Sequence, residues 1–219
     1  MKKAREIMVK DNGVSLSVIK RLPKYYRYLE SINDKGIVRV SSKELSEITG
    51  LTASQIRQDL NHYGCFGQQG YGYNVRDLMD ELSKIIGVDK EYKMVLIGYG
   101  NIGHALYQYE SFKTLGYKFS AVFDKEPNKN APSDLKIEDI DNLATYLENN
   151  KVDIGIIATP KEASQEICDI LCDGDVKGIW NFSPVDLKTK NGVVLENVHL
   201  DESLFTLTYF INSPQDYNF

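Results

Sequence analysis

Gly98-Tyr99-Gly100-Asn101-Ile102-Gly103 sets three glycines at G-x-G-x-x-G spacing. Such spacing lets a backbone turn tightly, approach a pyrophosphate and hold a following helix close to its strand. Lys93-Met94-Val95-Leu96-Ile97, just before it, is an apolar run suited to a buried parallel strand. His104 to Phe112, just after it, reads as a helix whose N-terminal amides and partial positive charge would meet the phosphates. A second strand, Phe119 to Phe123, ends on Asp124, 21 residues past Gly103. A carboxylate there can grip the ribose hydroxyls of an adenosine and repel a 2′-phosphate, an effect that Lys125 partly offsets. The chemistry is that of holding NADH or NAD+.

A second polar group lies earlier. If Ile56 and Leu60 face a core, Ser54, Gln55, Arg57, Gln58 and Asn61 project outward from one short helix. Arg can read guanine, Gln and Asn can read adenine, and Ser can hold a phosphate. Thr52-Ala53-Ser54-Gln55 opens that helix, which ends at Gly64. Ser41-Ser42-Lys43-Glu44 is a capping box opening the helix before it, which carries Leu45 and Ile48 inward and stops at Gly50. The pair fits a helix-turn-helix, and equally the solvated face of a small bundle. Phe66 to Tyr73 tips the balance, because three glycines and three aromatics in eight residues suit a tight hairpin. As a wing, it would bring Gly67, Gln68, Gly70 and Tyr71 against phosphate. An earlier helix carries Pro23 near its start and Leu22, Tyr26, Leu29 and Ile32 or Asn33 at helical spacing, up to Gly36.

These groups need two scaffolds, and 219 residues suffice for both. The charge divides the same way. Residues 1–76 hold 13 Lys/Arg against 7 Asp/Glu, whereas the remainder holds 13 against 24, within a net charge of −5. A basic module joined to an acidic one suits a nucleic-acid binder fused to something else. The expected organisation is a winged helix over 1–86, ending in an amphipathic helix from Val75 to Ile86, and a Rossmann-type doubly wound parallel sheet over 87–199. A C-terminal helix follows over 200–219. Further strands are read at Val152–Ala158 and Lys177–Phe182, with a helix from Lys161 to Cys172 between them. A hairpin-like pair around Asn191-Gly192 leads to Val193–Val198. Thr159-Pro160 and Asn181-Phe182-Ser183 fall beyond strand C-termini, where such sheets bind ligands, and are assigned to the nicotinamide side.

Leu200, Leu204, Leu207 and Ile211 make an apolar stripe, with Phe205 and Phe210 alongside. It could cover its own sheet or exchange into a second subunit. It is no substrate domain, and no acid/base pair accompanies the glycine motif, so an enzyme is not expected. Cys168 and Cys172, one helical turn apart, read as small buried hydrophobes. With His62, His104 and His199 scattered, no metal site is expected. No apolar run is long enough for a membrane span. The charged N-terminus and odd cysteine count suit a reduced, cytoplasmic protein.

Arg21-Leu-Pro-Lys-Tyr-Tyr-Arg27-Tyr-Leu, Ser54-Gln-Ile-Arg57-Gln58-Asp59-Leu60 and the Phe66–Tyr73 segment carry a resemblance through the basic third. Gly98–Gly103, Phe123-Asp124-Lys-Glu-Pro127 and Trp180-Asn-Phe-Ser-Pro184 extend it through the rest. Over nearly its full length the chain resembles the Rex family of bacterial redox-sensing transcriptional repressors. The resemblance implies a homodimer with a swapped C-terminal helix, bound to a double-stranded inverted-repeat operator when NAD+ dominates. NADH would close the Rossmann domains and release the DNA. It also implies a switch in which Tyr109, beside the cofactor, and Arg27 work with a third residue, an Asp in some members but His199 here. This switch should therefore use different contacts and carry some pH sensitivity. Gln58 stands where many members have Lys, which would weaken phosphate contact or alter base preference. Two other classes fit parts of the sequence. One is an NAD-dependent oxidoreductase, since Ala158-Thr159-Pro160 also occurs in those. The other is a regulator sensing a different nucleotide such as an acyl-CoA, against which Asp124 argues.

Overall fold

The computed structural model describes residues 14–64, 67–68, 71–127 and 135–213. The readings placed on Phe66 and Gly70 lie outside them, as does the side chain of Gln68. The chain divides into two compact units, Met1–Asp89 with Phe219, and Lys90–Asn218.

In the first unit, α1 (Leu16–Asp34) precedes the two-residue strand β1 (Arg39–Val40), α2 (Ser42–Thr49) and α3 (Ala53–Asn61). The hairpin strands β2 (Gly67–Gln68) and β3 (Gly72–Asn74) then lead into α4 (Val75–Ile86). The hairpin is antiparallel, and β1 completes a three-stranded sheet in the order β1-β3-β2. Gly72 is required here: its φ is +70°, and a Cβ would stand 2.6 Å from the Val40 carbonyl oxygen. Ser41 and Glu44 form the expected capping box at α2, and the Thr52 hydroxyl accepts from the Gln55 amide at α3.

Three expectations in this unit are corrected. Helix α1 starts at Leu16, so Pro23 lies well inside it. Its buried stripe is Val18, Leu22, Tyr25, Leu29 and Ile32, with Tyr25 and not Tyr26 fully inside. Tyr25 can go in because its hydroxyl finds a buried carboxylate. On α2, Ile48 is 43% exposed and Thr49 takes the inward place, its hydroxyl accepting from the Leu51 amide. Helix α3 ends at Asn61, short of Gly64.

The second unit is a six-stranded, all-parallel sheet. Its strands are β4 (Tyr92–Ile97), β5 (Tyr117–Asp124), β6 (Ile137–Asp139), β7 (Ile154–Ile157), β8 (Gly178–Asn181) and β9 (Val194–Asn197). They lie in the order β6-β5-β4-β7-β8-β9, so the chain reverses direction across the sheet at β4/β7. That is the doubly wound arrangement, with its crevice at the reversal point. Alternating residues of β4 feed two cores. Val95 and Ile97 join Leu143, Leu147, Ile167 and Leu171 of α7 (Leu143–Asn149) and α8 (Lys161–Asp173). Met94 and Leu96 face a second cluster with Tyr99, Tyr107, Phe112 and Trp180.

The helix expected over His104–Phe112 is two pieces, α5 (Asn101–Tyr107) and α6 (Ser111–Thr114), broken at Gln108. The Asn191-Gly192 turn forms, with φ +58° and +75°, but no hairpin: β9 pairs parallel to β8. Helix α9 (Leu200–Asn212) ends the described chain. Leu200, Leu204, Phe205, Leu207 and Ile211 are each more than half exposed, so the helix does not cover its own sheet. Among the described residues no helix is long and apolar enough to cross a membrane.

Candidate functional sites

Helix α3 is the centre of the first site. Ser54, Arg57, Gln58 and Asn61 are exposed on it, as expected, while Ile56 and Leu60 are buried. The Arg57 Nη1 donates to Ser42 Oγ at 2.9 Å, which aims the guanidinium from the surface beside α2. At the hairpin Tyr71 is 70% exposed, and Arg39 of β1 donates to its carbonyl at 3.2 Å. Arg39 is thus a cation beside the wing that the sequence reading did not single out.

Gln55 differs from its neighbours. It is only partly exposed, and its Nε2 donates to Asp59 Oδ1 at 2.8 Å. Asp59 is wholly buried and also accepts from Arg21 Nε at 2.6 Å, Arg21 Nη2 at 2.8 Å and the Tyr25 hydroxyl at 2.6 Å. Burial alone would push this carboxyl up. The donors from Arg21, Tyr25 and Gln55 outweigh it and hold Asp59 below the usual carboxylate range. The Tyr25 hydroxyl is correspondingly pushed up, by burial first and by Asp59 second. This network ties α3 to α1, and it was missed. The signal was present: with Ile56 and Leu60 inward, residue 59 falls on the same face, where an Asp demands a cation.

The second site lies where β4 meets α5. Gly98 has φ +93°, and a Cβ there would stand 2.5 Å from the Ala158 carbonyl oxygen; one on Gly103 would stand 1.9 Å from the Gly98 carbonyl oxygen. Both glycines are demanded by the fold. Gly100 is different: a Cβ there meets nothing within 4 Å. Nothing among the described residues requires glycine at 100, where the G-x-G-x-x-G spacing reserves room for a pyrophosphate to approach the backbone. The space beside it is a cleft of about 820 Å³ lined by Gly98, Gly100, Asp124, Lys125, Thr159 and Pro160, with Asp141, Glu162 and Glu166 on its walls. Asp124 closes the end of β5. Its Oδ2 accepts from the Tyr99 amide at 2.6 Å and its Oδ1 from the Glu126 amide at 2.8 Å, so the carboxylate is fixed in place with lone pairs to spare.

Not every expected residue reaches this cleft. Tyr99 is buried, and Asn101 and Ile102 are exposed on α5. Asn181 and Ser183 are inside the protein. Asn181 donates to Val185 and Asn197 and accepts from the Ser183 amide, while Ser183 bonds Ser164 at 2.7 Å. They shape the loop after β8. Phe182 packs on Trp180, with ring centres 4.6 Å apart. Cys168 and Cys172 are buried, and burial pushes the Cys168 thiol up to about 12, away from reactivity.

Of the residues assigned to a switch, Arg27 is exposed on α1 in the first unit. In the second unit Tyr109 is 55% exposed with its ring on Phe112, and His199 precedes α9. The His199 Nε2 is 2.9 Å from Asp186 Oδ1. That contact raises its pKa, helped by Glu202 and Asp201. Tyr109 also helps line an aromatic groove of about 750 Å³ with Tyr99, Tyr107, Phe112, Tyr117 and Phe119.

Comparison with known proteins agrees with this division. Residues 13–61 match the family described as "Putative DNA-binding protein N-terminus", and residues 89–185 match "CoA binding domain". The redox-sensing transcriptional repressor Rex of Clostridium tetani is 52% identical over 211 residues, 95% of this chain and 100% of that protein. The Rex of Clostridium acetobutylicum is 51% identical over 203 residues, 92% of this chain and 95% of that protein. Among solved structures, RSP in complex with β-NAD+ and operator DNA superposes with a TM-score of 0.85 at 48% identity, covering 92% of this chain and 94% of that one. RSP in complex with β-NADH gives 0.84 at 44% identity, covering 93% and 96%. With half its residues shared over almost the whole length of both chains, the protein belongs to the Rex family of redox-sensing transcriptional repressors.

Proposed function

We propose that this chain is a transcriptional repressor that senses the NADH/NAD+ ratio. One observation carries the reading: a single chain holds both a capped helix with a polar outer face beside a hairpin and a cradle left open at Gly100 beside a fixed carboxylate. Ser54, Gln55, Arg57, Gln58 and Asn61 meet the operator from α3, with Gly67, Gln68, Gly70 and Tyr71 assigned to the wing. An inverted repeat calls for two copies, and the exposed stripe of Leu200, Leu204, Leu207 and Ile211 on α9 matches the aromatic groove in chemistry. We assign the stripe to a second subunit, as a dimerisation segment over 200–219 that follows a DNA-binding part over 1–86 and a cofactor part over 87–199. A regulator of promoters works in the cytoplasm.

The backbone from Gly98 to Gly103 would receive the pyrophosphate, with Asp124 on the adenosine ribose and Thr159, Pro160, Phe182 and Tyr109 toward the nicotinamide. Asp141, Glu162 and Glu166 share the cleft with Asp124 and Lys125. That excess of carboxylates disfavours a phosphorylated ribose, whether of NADP(H) or of coenzyme A, although a coenzyme A family matches the same residues. NADH shifts the protein away from its DNA-binding form only by binding the other form better. Its uncharged nicotinamide enters an apolar pocket that the NAD+ cation resists.

The test is binding to a labelled inverted-repeat promoter fragment at fixed salt, titrated separately with NADH and NAD+. Release by NADH where NAD+ has little effect is the expected result. DNA binding indifferent to both would move the cleft to another ligand. Turnover of NADH without DNA binding would make the chain an oxidoreductase.

A further inference from the structure

Asp59 does more than join two helices. A carboxylate at neutral pH only accepts hydrogen bonds, so the Gln55 group facing it has to be the amide nitrogen. Asp59 is in turn held by Arg21 and Tyr25 and cannot move away. Glutamine on a recognition helix is ordinarily two-faced: by flipping its amide it offers a donor or an acceptor at the same point. Here the flip would set Oε1 against a buried carboxylate. Nε2 retains one more hydrogen, but it cannot exchange places with the oxygen.

Resting on the DNA-binding reading above, we propose that Asp59 makes Gln55 a one-way reader. Its Oε1 selects an exocyclic amine at one operator position, adenine N6 or cytosine N4, over the keto oxygen of guanine or thymine. In the major groove adenine and guanine differ at this group alone, and cytosine and thymine differ at this group and at the thymine methyl. Asp59 is then a positioning residue, buried away from DNA, that acts through Gln55 on sequence preference.

The experiment measures the ratio of affinities for amine and keto bases, a quantity that general loss of stability leaves unchanged. Every base pair of one half-site is substituted in turn. Adenines are also replaced by 2-aminopurine, which still pairs with thymine but lacks the 6-amine. The full-length protein should show one position where amine is preferred over keto by about tenfold. Gln55→Ala should bring that ratio close to one, and so should Asp59→Asn, whose side-chain amide frees Gln55 to flip. A protein with no Gln55-dependent ratio at any position, or an Asp59→Asn variant that keeps the full ratio, overturns the proposal. If Asp59→Asn does not fold, Gln55→Ala decides alone, and a ratio it leaves intact overturns the proposal. A chain that binds no inverted repeat at all refutes the repressor reading and the inference together. DNA binding without the ratio removes only the inference.

Discussion

The two candidate sites are built by opposite means. Around α3 the determinants are side chains: a buried carboxylate, the guanidinium and phenol that hold it, and an amide whose orientation they fix. Around the cleft the determinants are missing side chains: Gly98 lets the turn after β4 lie against Ala158, Gly103 lets α5 touch that turn, and Gly100 leaves a space that nothing among the described residues fills. A surface that reads a sequence needs directional groups held still. A surface that holds a phosphate needs backbone brought close, which any Cβ prevents. The first kind of site is therefore sensitive to loss of atoms and the second to their addition.

The largest effect should come from removing atoms at the first site. Asp59→Ala leaves Arg21 and the Tyr25 hydroxyl without their acceptor and should cost about 3 kcal/mol. Hydrogen exchange of the α1 and α3 amides would measure it; a loss below about 1 kcal/mol would mean that water replaces the carboxylate and the network is not a structural anchor. Asp59 also sits below its ordinary range when folded, so its contribution is present above that range and fades as pH falls through the folded value.

Adding atoms tests the second site. In Gly103→Ala the new methyl overlaps the Gly98 carbonyl oxygen. We expect a cost of about 2 kcal/mol, read from exchange of the β4 and α5 amides, with loss of NADH binding. Gly100→Ala makes the sharper test, because the fold has room for the methyl. Its thermal unfolding should match that of the parent while NADH affinity falls by about tenfold, or ~1.4 kcal/mol. Unchanged affinity would break the contrast between the sites, since Gly100 would then be unrelated to ligand.

The smallest effect concerns His199, whose raised pKa depends first on Asp186. Raised means that the pairing contributes in full below the ordinary histidine range and is lost as pH rises through the folded value. Asp186→Asn should shift the His199 titration downward by NMR and move any pH dependence of the NADH response to lower pH with it. A titration that does not move would leave Asp186 without influence on the histidine.

What was legible in the sequence follows the same divide. Glycine spacing, the Asp124 interval and the Ser41–Glu44 cap are local, and the strand–turn–helix, the carboxylate at the end of β5 and the capping box all form where they were read. The Asp59 network escaped because Arg21 and Tyr25 lie 38 and 34 residues away, across two helices. Asn181 was read from its place at a strand end, which fixes where a residue is but not whether it turns inward. The Asn191-Gly192 turn was correct as a turn and wrong as a hairpin. A pair of left-handed residues reverses the chain locally and does not determine which strand the next one joins. The break at Gln108 carries no glycine or proline to announce it.

The bare stripe of α9 has a consequence for how the protein behaves in the cell. In the dimer proposed above a second copy covers it, and stability then depends on how much of the chain is present. The melting temperature should climb with protein concentration. A freshly made chain, at low abundance, spends longest with that greasy helix open to proteases and chaperones. The repressor's supply is then nonlinear in its synthesis: halving the amount made lowers the number of working molecules by more than half.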